Sequence, residues 1–184
     1  YIQTTPLQLC LMTAQIGNGG YSIKPKIIVN NDPLNFTEAK KNMEEQYLIN
    51  SNSQLFKDKK NIKIIQQAMF SSTNEIGGTS YRSRIDNLKY QFAGKTGTAQ
   101  VKRISKRERE LDLKIDQIPY KNRDHALYVA FGPYKNPRYA LSIIVEHGGS
   151  GSKAAAPMAK KLFKLIIDRD KLREKQPNFE EISI

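Results

Sequence analysis

The chain has 184 residues, 30 Lys and Arg against 18 Asp and Glu, a net charge of +12 and one cysteine. That length holds one core of ordinary size rather than two, because domains cluster near roughly 100 to 150 residues. The lone Cys10 excludes a disulfide scaffold, and no apolar run approaches the roughly 20 residues that span a bilayer.

The positive balance attracts anionic polymers and membrane surfaces but says nothing of the fold, and a basic solvated surface is its simplest reading. The chain opens on YIQTTPLQ, with no initiator Met and no charged-then-apolar leader. The numbering is therefore expected to start inside a longer protein. A helix begins almost at once: Thr5 can cap it, Pro6 fits its first turn, Gln8 completes a Thr-x-x-Gln capping box, and Gly17 ends it. Cys10, between Leu9 and Leu11, is expected to be a small buried residue of that helix. YSIKPKIIV follows, and its Pro25 suits an edge strand. Asn30 to Lys60 is polar and without period, so it reads as loops around one short helix.

NIKIIQQAMF places Ile62, Ile65 and Met69 on one helical face, and Gly77-Gly78 breaks the chain after it. QFAGKTGTAQV then reads as a strand, and the charged stretch Lys102 to Asp124 is expected to carry an exposed helix. HALYVAFGPY and RYALSIIVEH, joined through Lys135-Asn136-Pro137, have the β-branched and aromatic content of a buried antiparallel hairpin. A last helix carries Ala155, Met158, Ala159, Leu162, Leu165 and Ile166 at helical spacing, a stripe expected to cover the sheet, with Pro157 in its first turn. The charged tail after Asp170 is expected to fray.

Two glycine motifs invite a nucleotide. A phosphate-binding loop needs Gly, four residues, then Gly-Lys-Thr. Lys89 stands where the first glycine should, and TAQV continues as strand instead of opening a helix. GGSGSKA fits G-x-G-x-x-A through Gly149, Gly151 and Ala154, but no second parallel strand follows. A tight strand-to-helix turn explains the same glycines. His125 and His147 are too few for a Ser-His-Asp triad or a metal cluster and read as structural, with His125 beside Asp124 placed to orient a loop. KRISKRERE alternates in sign and lacks stacking aromatics, so a solvated face is favoured over nucleic-acid binding.

KTGT remains. A Lys ammonium at Lys95, hydroxyls of Thr96 and Thr98 on one strand face, and Gly97 open to close backbone approach suit a carboxylate-ended peptide laid along the strand. The strand's free main-chain groups would bind that ligand as an added strand. Four residues recur by chance, so the surrounding sequence decides.

That surrounding sequence resembles the C-terminal half of the transpeptidase domain of class B penicillin-binding proteins, relatives of the serine β-lactamases. TPLQLCLMTAQIGNGGYSIKP looks like the family's helix and turn ahead of the sheet, and AGKTGTAQV like its third strand. VAFGPYKNPRYALSIIVEHGG looks like the fourth and fifth strands, and AAAPMAKKLF like the closing helix. RDHALYVAFGPY and EHGGSGSKAAAP look most like the subtype that cross-links the wall in rod elongation.

The family carries S-x-x-K, S-x-N and K-T/S-G-T motifs, and only the third has a counterpart here. Ser150 to Lys153 and Ser72 to Asn74 match the first two in letters but stand at the wrong separations from Lys95, so the true motifs are expected upstream of Tyr1. The resemblance implies an α+β fold, an antiparallel sheet flanked by helices and truncated of its helical subdomain. Residues 1–184 would be the C-terminal portion of one transpeptidase domain, with 102–124 a variable charged insertion and 171–184 a flexible tail.

It further implies catalytic roles for Lys95 and Thr98. Lys95 would hold a positive potential and aid proton transfer, and Thr98 would supply an oxyanion-hole N–H. Thr96, Gly97 and Thr98 would bind substrate, with no cofactor and no metal. The implied partners are peptidoglycan stem peptides, β-lactams and, through the full-length protein, an elongation glycosyltransferase, with no nucleic acid. The implied location is the periplasmic side of a bacterial inner membrane. A fragment without the nucleophile would be inert. A β-lactamase or D,D-carboxypeptidase of the same superfamily is the nearest alternative, and a nucleotide- or nucleic-acid-binding module the more distant one.

Overall fold

The structure is a computed structural model and describes residues 3–25, 54–102 and 113–174. Three helices and three strands carry it: α1 (Pro6–Gly17), α2 (Lys59–Asn74), β1 (Ala93–Ala99), β2 (His125–Gly132), β3 (Tyr139–Val145) and α3 (Ala156–Glu174). The strands form one antiparallel sheet in the order β1-β2-β3, with Thr96 opposite Tyr128 and Tyr128 opposite Ile143. The expected hairpin is β2–β3, and the expected α+β architecture holds.

Alternation along the strands sorts their side chains onto two faces. On one, Ala93 and Phe131 pack with Ile16 of α1 and Met69 of α2. On the other, Tyr128 and Ala130 pack with Phe92 and with Ala155, Ala156, Ala159, Phe163 and Ile167 of the closing helix and its lead-in. Phe163 stacks on Phe92 with ring centroids 4.8 Å apart. Each fully buried phenyl ring contributes about 2–3 kcal/mol by leaving water.

α1 starts as its sequence requires. Thr5 Oγ1 accepts the N–H of Gln8 at 3.2 Å, and Gln8 Oε1 accepts the N–H of Thr5 at 2.8 Å. Other expectations need correcting. Cys10 is only half-buried; its thiol points at the Ala140 carbonyl, 3.5 Å away, and partial burial raises its pKa. Ile62 and Met69 are buried on α2, but Ile65 between them is exposed.

The stripe of α3 is also turned from the expected one. Ala155 and Ala159 face the sheet with Ala156, Phe163 and Ile167, while Met158, Leu162 and Leu165 are exposed. Small residues bring this helix close to the strands, and closeness fixes which side faces in. Tyr21 makes a lone bridge to Gln54, and residues 22–25 form no strand, so the Pro25 edge strand is absent from the described part. The described part of the charged stretch holds two short 3₁₀ turns, Ile115–Gln117 and Tyr120–Asn122. Its middle, most of the loop region from Asn30 to Lys60, and the tail beyond 174 lie outside the described residues. Up to Glu174 the chain is still helical.

Candidate active site

β1 is one of the two edge strands of the described sheet, and one end of it is walled in. Thr73, in the last turn of α2, accepts the N–H of Gly94 at 3.1 Å and lies 3.3 Å from the same residue's carbonyl oxygen. Its hydroxyl also meets Tyr128 Oη at 2.9 Å, and Ser80 Oγ meets that Tyr oxygen at 3.1 Å. All three hydroxyl residues are buried, and burial raises the Tyr128 pKa, partly opposed by the hydrogen bonds from Ser80 and Thr73. A side chain at Gly94 would be driven into the Tyr128 hydroxyl, so this cluster demands a glycine. Next to it, Asn74 Nδ2 donates to the Phe92 carbonyl at 2.9 Å, fixing the chain as it enters β1.

That anchoring sets the direction of every main-chain group beyond it. In an antiparallel strand, a residue's N–H and C=O leave on the same side, and the side alternates with each residue. Both main-chain groups of Gly94 meet Thr73, so they point away from β2. The N–H and C=O of Thr96 and Thr98, two and four residues on, therefore point away from β2 as well, while those of Lys95 and Gly97 point toward it. No described strand lies beyond that edge.

The side chains divide differently. Thr96 and Thr98 share the face of Tyr128 and Ala126, as alternation predicts, and Lys95 lies on the opposite face beside Val129. The lysine nevertheless returns to the edge: its Nζ donates to the Thr96 carbonyl at 2.9 Å and lies 3.3 Å from Thr96 Oγ1. Lys95 and Thr98 are exposed, and Thr96 and Gly97 are half-buried. Ammonium, hydroxyls and outward main-chain groups thus gather on one open margin, where an extended anionic peptide can pair with the strand. Beside Lys95 a cleft of about 670 Å³ opens between α1 and α2, walled by Met12, Ile16, Ile65, Met69 and Val129.

The rejected motifs resolve structurally. Ser150 Oγ pairs with Ser152 Oγ at 3.0 Å at the start of a π-helical turn, Gly151–Ala155, that runs into α3. Gly151 presses on the Leu127 carbonyl and on Gly97, a close approach that accounts for the glycine run without a dinucleotide. The two histidines tie β2 to the turn after β3. His125 Nδ1 accepts the N–H of His147 at 2.9 Å, and their rings lie 4.8 Å apart. Asp124 works separately, accepting the N–H of Val101 at 3.3 Å. Among the described residues no cluster of His, Cys, Asp and Glu could hold a metal ion, and no helix is long and apolar enough to cross a membrane.

The sequence did not point to Thr73, Ser80 and Tyr128 as supports of the strand, nor to Thr79, whose hydroxyl lies 3.3 Å from that of Thr96. The only signal was indirect: a double glycine followed by two hydroxyl residues, seventeen positions before Thr96.

The described part is an antiparallel sheet between helices that presents a Lys-Thr-Gly-Thr strand at an open edge. The chain belongs to the penicillin-binding protein transpeptidase family: residues 2–164 match the model of the penicillin binding protein transpeptidase domain. It is 38% identical over 105 residues to the peptidoglycan D,D-transpeptidase MrdA of Salmonella typhimurium, a match covering 57% of this chain and 16% of the relative. To MrdA of Haemophilus influenzae it is 29% identical over 178 residues, covering 92% of this chain and 24% of the relative.

Among solved structures, the complex between penicillin-binding protein PBP2 and MreC from Helicobacter pylori superposes with a TM-score of 0.63 at 29% identity. That match covers 91% of this chain and 25% of the other. The chain thus spans a quarter or less of these relatives. The family resemblance, with its leaning to PBP2-type enzymes, is borne out.

Proposed function

We propose that the chain is the donor-strand portion of a peptidoglycan D,D-transpeptidase. The parent enzyme forms an acyl-enzyme on a serine outside this chain, releases D-alanine from a D-Ala-D-Ala stem peptide, and passes the acyl group to an amine of a neighbouring strand. β-Lactams enter as mimics of the donor. The observation that carries this reading is the outward direction of the Thr96 and Thr98 main-chain groups on an open edge, with the Lys95 ammonium folded over it.

Each residue then has a task. The donor lies along β1 and pairs with its outer edge. Thr96 and Thr98 hydroxyls donate to the terminal carboxylate, and Gly97 leaves room for the ligand backbone. The Thr98 N–H supplies one oxyanion donor, the second coming from the nucleophile's own N–H. One such donor is worth about 100- to 1000-fold in rate, so neither part of the hole suffices alone. Lys95 keeps the margin positive and lowers the cost of moving a proton from the attacking hydroxyl. The apolar cleft beside Lys95 is the surface on which the nucleophile-bearing part of the parent packs. No metal or cofactor enters this scheme.

The parent acts on the periplasmic side of a bacterial inner membrane, working with an elongation glycosyltransferase and with no role for nucleic acid. The family likeness supports this setting; the similar PBP2 from Helicobacter pylori was solved with MreC rather than with a glycosyltransferase.

A fluorescent penicillin tests the reading. It should acylate the parent protein and leave the 184-residue chain unlabelled. Covalent labelling of the short chain would place a nucleophile inside it and overturn the assignment. Incubating the parent with a D-Ala-D-Ala peptide and an amine acceptor should yield the amide; release of free acid alone would make it a carboxypeptidase.

A further inference from the structure

We propose that Thr79 is a positioning residue for the donor carboxylate, acting through Thr96; the inference rests on the reading of β1 as the donor strand. Three hydroxyls form a chain that ends at the edge: Ser72 Oγ to Thr79 Oγ1 is 3.0 Å, and Thr79 Oγ1 to Thr96 Oγ1 is 3.3 Å. Thr79 is held there by its turn. Gly77 takes φ +89°, and a side chain on Gly78 would stand 2.5 Å from the Ser72 carbonyl oxygen. The N–H of Ser80 closes the loop by donating to that same carbonyl at 3.0 Å.

Proton counting gives the chain a direction. An ammonium can only donate, and a hydroxyl has one proton and two lone pairs. Lys95 Nζ lies 3.3 Å from Thr96 Oγ1 and so occupies one of that oxygen's lone pairs. A carboxylate arriving at Thr96 can only accept, so the Thr96 proton must turn outward to it. Thr79 must then donate to Thr96, and Ser72 to Thr79. Each link is polarised by the one behind it, which strengthens the last donor. Without the Thr79 hydroxyl, nothing among the described residues except Lys95 commits the Thr96 lone pairs, and its proton loses its outward bias. Thr79 itself never touches the ligand.

The test uses the full-length parent protein, acylated by a penicillin with a free carboxylate and by its methyl ester. Thr79→Val should slow acylation by the acid about fivefold, the loss expected for one ordinary hydrogen bond. Thr79→Ser should restore the rate to within about twofold, and Val and Thr at this position should be indistinguishable with the ester, which lacks the anion. A Val variant as fast as wild type with the acid overturns the proposal. So does an equal loss with acid and ester, since that would mean the residue merely holds its loop, as would a Ser variant no better than Val. Thr96→Val separates the two levels: if it discriminates acid from ester and Thr79→Val does not, only this inference fails. If Thr96→Val is silent too, the donor-strand reading itself is wrong.

Discussion

At Gly94 the first strand is enclosed: its main-chain groups are taken by Thr73, and the space above it is filled by the Tyr128 hydroxyl. Four residues on, at Thr98, the same strand is exposed and its outward main-chain groups have no described strand beside them. The contrast assigns different work to the two ends. An edge strand left free along its whole length invites pairing with any other chain. Here the closed end is fixed by a buried hydroxyl cluster, which sets the phase of the open end, and only a short stretch from Lys95 to Ala99 remains available to a ligand. On the proposed reading, preorganisation at one end lets a short peptide be read at the other.

The comparison is broken most directly at the open end. Lys95→Ala in the parent protein should slow acylation by a fluorescent penicillin at least about 100-fold, the scale for removing one preorganised electrostatic contact in an acyl-transfer site. Its melting temperature should stay within about 2 °C of wild type, since an exposed side chain carries little of the fold. A rate within a few-fold of wild type would remove Lys95 from the chemistry. The closed end should respond in the opposite way. Gly94→Ala forces a methyl into the Tyr128 hydroxyl, and overpacking of that kind destabilises by about 1–3 kcal/mol. Denaturant unfolding should show the loss, and an unchanged midpoint would mean that the cluster yields easily and does not hold the strand.

The sequence made the open end legible and left the closed end dark, for a physical reason. Lys95, Thr96, Gly97 and Thr98 are consecutive, and strand alternation alone places the two threonines on one face. Thr73, Ser80 and Tyr128 come from a helix, a loop and another strand, and only the packed fold brings their oxygens together. Thr79 was missed for the same reason. The hairpin and the cap of α1 were readable because each depends on neighbours in sequence.

The last helix was readable as a helix but not in its rotation. Ala156, Ala159, Phe163 and Ile167 follow the same spacing as Met158, Leu162 and Leu165, and hydrophobicity favours the wrong stripe. The run of small residues was the better clue, because a helix lying close to a sheet needs little side chain at the contact. Lys95 taught a further point: alternation puts it opposite the threonines, yet its long stem carries the charge back around the edge.

The smallest expected effect concerns the closed end alone and follows from proton linkage. Burial raises the pKa of Tyr128 above its ordinary value of 10.0. Between those two values the unfolded chain has lost the proton and the folded one still holds it. The folded state then binds more protons, so stability falls as pH rises. The contribution is whole below about pH 10 and drains away above it, by at most about 1.4 kcal/mol per pH unit. Tyr128→Phe keeps the ring packed and removes the titrating group. The difference in unfolding free energy between wild type and this variant should be constant from about pH 7 to about pH 9 and should shift against the wild type from about pH 10 upward. A difference that stays level to about pH 11 would mean that water reaches the phenol, and that the end of β1 taken here as sealed is open as well.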